Sequence, residues 1–403
     1  MNVTKSFVVP LIAAALAIDF GPGFRAQVPP RSTLLDFETA APRLVERDGQ
    51  TAMALEGYGH AWRLELRENR ALVDSLSPVS RAQIRKNRSR FYMGQLAGAP
   101  GSWARVNRIA GRLTAMFFDG RTLYLVDRAA AFELPPGRRA ERGATVMFRY
   151  SDLAPGLFDH GALEVPGSRR LSAAQSERFD GFVGHLREVA RLSGEAEFAM
   201  PVTIVSDTQF SATHGADAAA VVAGRMNFID GIYASQLGTA IALLHHEILD
   251  DNGPLTSTNP SVLLSDQFGP FMRNGAGSDI PFDGLAHLFT GRDLNGGSIG
   301  IAYLRALCSS GSGYGVNQNL NSDTTSALLV AHELGHNFGA GHDDDTDSCP
   351  VGTFRGIMNS SINGAEEFSQ CSLDAMSAEV ATVGCLIENP GTEPIFADGF
   401  ESP

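Results

Sequence analysis

Three histidines and a glutamate between positions 332 and 342 are the residues whose types and spacing could carry chemistry. They stand as His332-Glu333-Leu334-Gly335-His336, with Gly339 three residues on and His342 three residues after that. On a helix, side chains four apart project from one face about one turn apart, so His332 and His336 would present two imidazoles together. Two neutral imidazoles at that separation suit Zn2+, which takes His nitrogens at roughly 2.0–2.1 Å. Glu333 would face a water on such a metal without ligating it, the place of a general base. Two histidines on an amphipathic helix can also be plain polar surface. Five matched positions make that reading rare, on the order of 1 in 10,000 by chance.

A catalytic zinc needs a third protein ligand and one open position. His342 cannot reach it from a continuing helix, because it would point away from the other two. The chain must turn sharply, and Gly339 can do so, since glycine enters left-handed conformations at little cost. Upstream, Ser326-Ala327-Leu328-Leu329-Val330 predicts a helix over Thr325–Phe338 with one face buried. Downstream lies Gly356-Ile357-Met358-Asn359, where Met358 read alone would be core filler.

With its third histidine the stretch resembles the extended zinc signature of the metzincin metalloproteases. That family carries a methionine turn beneath the metal, and the resemblance makes Met358 that methionine. His336-Asn337-Phe338-Gly339 followed by His342-Asp343 is most similar to the reprolysin (adamalysin/ADAM-like) branch. Ser360 stands where astacins and serralysins carry a tyrosine. The resemblance covers residues 198–388 well and 60–130 loosely. It implies an α/β (α+β) catalytic domain with a mixed twisted sheet and an active-site helix, preceded by a mostly β prodomain. It implies one catalytic Zn2+ on His332, His336 and His342, with Glu333 as general base. Asp343, beside the third ligand, would orient the ligands or the methionine turn.

Ca2+ is a weaker expectation. The run Asp343–Asp347 lacks the spacing of an EF-hand loop. Pro201, Gly284 and Glu388 stand where the family's calcium site often has a glutamate, an aspartate and an asparagine, with Asp283 next to Gly284.

At 403 residues the chain has room for two domains, and its net charge of −13 is unevenly shared. Residues 195–403 carry 5 Arg, no Lys and 26 Asp or Glu, a balance of −21; residues 1–194 carry 27 basic and 19 acidic residues, +8. An acidic catalytic half argues against nucleic acid as a partner. The arginines of the first half are dispersed through apolar sequence and complement the acidic half. Cys308, Cys349, Cys371 and Cys385 lack the tight pair spacing of a structural zinc site, which favours disulfides in an oxidising compartment. Four cysteines allow three pairings. The reprolysin resemblance favours Cys308 with Cys385 and Cys349 with Cys371, the first closing a loop worth about 4 kcal/mol in the chain-entropy model.

In chain order, residues 1–26 read as a secretory signal, with Lys5, an apolar stretch Phe7–Ala17 and a cleavage site at Ala15-Leu16-Ala17 or nearer Ala26. No later run is long enough for a membrane span. Residues 27–194 read as the prodomain, its period-two segments implying hairpins, one of them turning at Asp119-Gly120. No cysteine precedes Cys308, so a cysteine cannot silence the metal; Asp159-His160 is a weak substitute. A linker helix is expected over 171–193, with maturation cleavage at Arg169-Arg170 or around Ser193–Glu197.

Residues 195–390 form the expected catalytic domain. Val202–Ser206 reads as a strand, Ala216–Tyr233 as a helix, Leu285–Thr290 as a helix and Ser298–Leu304 as a strand, which the resemblance makes the edge strand above the cleft. An unpaired edge can take an extended peptide by strand addition. His245-His246-Glu247 looks like metal chemistry but lacks the i, i+4 spacing. On a strand those two histidines would face opposite ways. The lone His60, His185, His214 and His287 are read as structural. A helix is expected over Leu373–Val383, and residues 391–403 form a flexible tail.

The expectation is a secreted zinc metalloendopeptidase of bacterial type, monomeric, acting on proteins or peptides and made as a zymogen inhibited by its own prodomain. A catalytically silent zinc-binding or adhesion protein on the same scaffold is the alternative. A metalloenzyme for a non-peptide bond is another, without a supporting residue.

Overall fold

Short segments between residues 38 and 149 alternate apolar and polar residues, as in His60–Glu68, and that period produces strands. The computed structural model describes residues 31–390 except 165–195 and short gaps at 48, 75, 142, 156–158, 351, 353 and 362. The expected signal, linker helix, cleavage sites, His185 and tail therefore lie outside the described residues, save Ala196 and Glu197.

Among the described residues, Glu38–Ala40 (β1), Arg43–Arg47 (β2), Gln50–Gly57 (β3), His60–Glu68 (β4), Arg90–Leu96 (β5), Trp103–Ile109 (β6), Arg112–Phe118 (β7), Leu123–Arg128 (β8) and Thr145–Arg149 (β9) form one antiparallel sheet. Their order is β1-β9-β8-β7-β6-β5-β4-β3-β2. The β7–β8 hairpin turns where expected. Gly120 takes φ +98°, and Asp119 Oδ1 accepts from the backbone N–H of Arg121 and Thr122, both at 2.8 Å. The sheet curls until Gly57 approaches Met147, so closely that a Cβ at Gly57 would fall 2.6 Å from Met147 Sδ.

The second sheet is built from Asp159–Glu164 (β10), Phe198–Ser206 (β11), Thr239–Ile248 (β12), Leu285–Thr290 (β13), Ser298–Leu304 (β14), Tyr314–Gln318 (β15) and Ile387–Glu388 (β16). The order is β10-β14-β15-β13-β11-β12, with β16 antiparallel to β11. Pairings are parallel except β14–β15 and β16–β11, a mixed sheet as expected.

Two expectations fail here. Leu285–Thr290 is a strand, not a helix; all six residues are buried, because it lies in mid-sheet with a strand on each side. A short apolar run covered on both faces has no period by which to tell the two. The edge at Ser298–Leu304 is not unpaired either, for Asp159–Glu164 lies parallel along it, with Gly161 opposite Ile301 and Leu163 opposite Tyr303. The side chains of Asp159 and His160 are outside the described set.

Helix α1, Ala218–Leu237, sits between the two sheets and ends at Gly238, whose left-handed φ of +71° closes the helix. It is apolar nearly all round, as a helix covered on every side must be. Val222, Phe228, Ile229, Ile232 and Tyr233 are fully buried, each contributing about 1.5–3 kcal/mol by leaving water. Helix α2, Asp323–Asn337, packs on α1, with Tyr233 Oη donating to Ala331 O at 2.8 Å. Helix α3, Gln370–Val380, capped by Ser369, completes the layer; it starts and ends about three residues before the expected span.

Candidate metal centre

The site is carried by α2. Ser322 caps it by accepting from Thr325 N–H at 3.0 Å, which satisfies one of the free first-turn donors. Residues Thr324–Asn337 are all buried, so the helix is held on every face and its register cannot drift. At its C-terminal end Gly339 takes φ +102°, and Ala340 N–H donates back to Gly335 O at 2.9 Å. This is the sharp turn that brings His342 round to the other two histidines.

The ring centroids of His332 and His336 are 4.8 Å apart, His336 and His342 4.8 Å, and His332 and His342 5.4 Å. Among the described residues this is the one cluster of three or more His, Cys, Asp or Glu side chains able to hold a metal, its ligand atoms all within 4.8 Å of one another. His332 Nδ1 sits 2.8 Å from Ile357 O, and His336 Nδ1 2.8 Å from Ala340 O. Carbonyls accept only, so each Nδ1 carries the proton and each Nε2 lone pair is turned to the centre. The two Nε2 atoms lie 3.1 Å apart. Nitrogens on a tetrahedral zinc at 2.0–2.1 Å would be about 3.3 Å apart. Burial, and then the neighbouring His332 and His342, push His336 far below its ordinary pKa, so it is a neutral donor. The residues fit zinc.

Glu333 is fully buried, and burial raises its carboxyl well above the ordinary carboxylate range. It fits only because Gly300 on β14 has no side chain: a Cβ there would lie 2.2 Å from Glu333 Oε1. Met358 is buried beneath the helix, against Gly335, where a Cβ would lie 2.3 Å from Met358 Sδ. Asp343 binds this turn to the third histidine. Its N–H donates to Met358 O at 2.9 Å, Oδ2 accepts from Gly356 N–H at 2.6 Å, and Oδ1 accepts from Ser369 Oγ at 2.5 Å and Ser372 Oγ at 2.8 Å. Ser360 donates its hydroxyl to Asp344 Oδ2 at 2.5 Å. Disulfides join Cys308 to Cys385 and Cys349 to Cys371.

Among the described residues, the other histidines whose side chains are placed stand apart from this centre. His246 is buried with its Nε2 2.8 Å from Ser206 Oγ, whereas His245 turns the other way to Glu247. His214 meets Asn319, His287 bridges Asn317 and Asn337, and His60 is exposed beside Trp62. No second cluster, for calcium, occurs among the described residues. Sequence reasoning missed Gly300, which a close approach of backbone to side chain requires. It also missed Asp127 on β8, whose Oδ2 accepts from Ser322 Oγ at 2.8 Å and Thr324 Oγ1 at 3.2 Å at the start of α2. No local pattern announces a contact across about 200 residues.

Residues 199–369 match the reprolysin family model described as Metallo-peptidase family M12. Human disintegrin and metalloproteinase domain-containing protein 9 is 36% identical over 105 residues, 25% of this chain and 13% of that protein. Disintegrin and metalloproteinase domain-containing protein adm-2 of Caenorhabditis elegans is 28% identical over 245 residues, 59% of this chain and 25% of that protein. The chain thus spans a quarter or less of the length of these relatives. Together with the histidine cluster, these matches support a metallopeptidase domain of the reprolysin/ADAM-like metzincin family in the C-terminal half of the chain.

Proposed function

We propose that the chain is a zinc-dependent endopeptidase that hydrolyses peptide bonds of proteins and is made as a zymogen. The observation that carries this reading is the convergence of three imidazoles beside a buried glutamate. A zinc ion on His332, His336 and His342 would supply Lewis acidity for activating water and polarising the scissile carbonyl. Glu333 takes a proton from the attacking water and returns it to the leaving amine. Asp343 keeps His342 and the Met358 turn in register, and the backbone carbonyls of Ile357 and Ala340 keep His332 and His336 aimed.

Residues 27–194 act as the prodomain and 195–390 as the peptidase domain. The strand Asp159–Glu164 along β14 supports latency, since it covers the edge on which an extended substrate would pair. Residues 1–26 direct export, of a bacterial secreted type, and the enzyme works as a monomer. No helix among the described residues is long and apolar enough to cross a membrane.

The test is casein digestion by wild type and Glu333→Ala, each assayed for metal and nicked between 165 and 195. Both should hold about one zinc, with the variant slower by about 100- to 10,000-fold. A nicked wild type that holds zinc and cleaves nothing would return the scaffold to a silent binding role. A chain that takes up no zinc would end the metallopeptidase reading.

A further inference from the structure

Beside His332 lies a narrow cavity whose walls include Leu328, Leu329, Ile357 and Asn359, and one more wall comes from the N-terminal domain: Tyr150. Tyr150 is 3% exposed and opens a short 3-10 turn, Tyr150–Asp152, at the end of β9. With its ring in place the remaining space is ≈ 10 Å3, about enough for one water. The turn is built to stay put. Arg149 Nε and Nη2 donate to the two oxygens of Asp152, both at 2.9 Å, and Tyr58 Oη donates to Asp152 Oδ2 at 3.0 Å. Gly364, at φ +75°, lets the backbone of Ser151 come so near that a Cβ would fall 2.9 Å from Ser151 Cα.

Nine residues past Tyr150 the chain becomes β10 and runs parallel along β14, with a register shift between Asp159 and Gly161. That irregularity faces the stretch of β14 holding Gly300, the residue packed on Glu333. Tyr150 thus stands at the cavity and β10 at the sheet edge beside Gly300.

We propose that Tyr150 is a resident plug of the pocket that receives the substrate side chain next to the metal, and that the vacated pocket takes a large aromatic side chain of a peptide. This rests on the endopeptidase reading above. Leu328, Leu329 and Ile357 match the body of such a ring, while Ser361, Asn363 and Asn359, whose buried Oδ1 has no hydrogen-bond partner, give the pocket a polar side for a ring with a hydroxyl. A carboxylate entering there would be stripped of water beside an acceptor.

The full chain carrying Tyr150→Gly, beside wild type and Tyr150→Phe, tests this with two readouts. p-Cresol is the side chain that the glycine variant lacks. In metal-free protein, millimolar p-cresol should raise the melting temperature of Tyr150→Gly by about 2–4 °C and leave the other two unchanged. In zinc-loaded protein, Tyr150→Gly should cleave a quenched peptide with tyrosine just after the scissile bond at least about 10-fold faster than unprocessed wild type. p-Cresol should suppress that gain, and a peptide with aspartate at the same place should stay intact. If Tyr150→Gly does not fold, Tyr150→Ala with phenol repeats both measurements.

Absence of any cresol-dependent stabilisation overturns the plug. So does a glycine variant as latent as wild type while nicked wild type cleaves the tyrosine peptide, an outcome that leaves the endopeptidase reading standing. If nicked wild type cleaves no peptide at all, the endopeptidase reading falls, and Tyr150 is reduced to a packing contact.

Discussion

Asp343 accepts a backbone N–H and two hydroxyls while its own N–H reaches the Met358 carbonyl, so one carboxylate ties together the third histidine, the methionine turn and the start of α3. Removing it orphans the Gly356 N–H in a buried setting. Asp343→Ala should cost about 3 kcal/mol of stability and weaken zinc binding by about 10- to 100-fold. Asp343→Asn should lose less, because its amide can donate to the serine hydroxyls while its oxygen serves Gly356. Thermal melts and a zinc titration of both variants check this. Buried histidines outside the metal centre set an acid limit, His214 and His246 among them. Burial first, and Arg225 next, hold His214 down to about 4, while burial, with His245 adding, holds His246 down to about 3. Both stay neutral in the folded chain at pH values where the unfolded chain already takes up protons. Their contribution to stability is therefore full above about pH 6.5 and lost as pH falls towards 4. Urea midpoints at pH 7 and 5 should differ, and His246→Gln should shrink the difference; equal slopes for both proteins would refute the assignment.

At the scale of elements, α2 and β14 work as a pair. The helix supplies Glu333 and the strand supplies an absence of side chain at Gly300, so the carboxylate has one place to sit. Gly300→Val should leave zinc content and fold intact and reduce casein hydrolysis at least about 100-fold, since the base is pushed off its position. Metal analysis, circular dichroism and the activity assay together decide it. A variant of near wild-type activity would show that Glu333 works from elsewhere. The expected helix at Leu285–Thr290 belongs to this scale too. Its central place in the sheet, between β11 and β15, buries both faces, and tertiary pairing rather than local preference made it a strand.

Across the whole molecule the two sheets share α1 and one continuous core. Gly224 and Gly231 let the first sheet come close, against Asn107 and against Trp103 and Arg105. The sign of the charge split is visible in the contact: Arg105 Nη2 reaches Asp230 at 2.7 Å, buried between the domains. Glu366 is a second tie, accepting from Leu123 N–H at 2.8 Å, and burial raises its carboxyl to about 7. A docked form that prefers the protonated carboxyl is favoured at low pH, and docking weakens as pH rises from about 4.5 through 7. After nicking between 165 and 195, more of the N-terminal domain should stay bound at pH 5 than at pH 8 in gel filtration. Glu366→Gln should narrow that gap; an unchanged gap would assign the pH effect to other groups.

From the amino-acid sequence alone one could read the metal-binding spacing, the glutamate, the turn glycine, the β character of residues 38–149 and, through the family resemblance, the cysteine pairing. Apart from the cysteine pairing, which rests on the resemblance, these are short-range or repeated features, written by the helix turn, the strand period or a fixed interval. Tertiary structure alone decided that Gly300 makes room for Glu333, that Asp127 binds the start of α2, that β10 covers the edge of β14 and that Tyr150 enters the cavity beside His332. Each joins segments far apart in the chain. Such contacts are chosen by burying apolar surface and satisfying polar groups over the whole fold, and they leave no period in the sequence to be read.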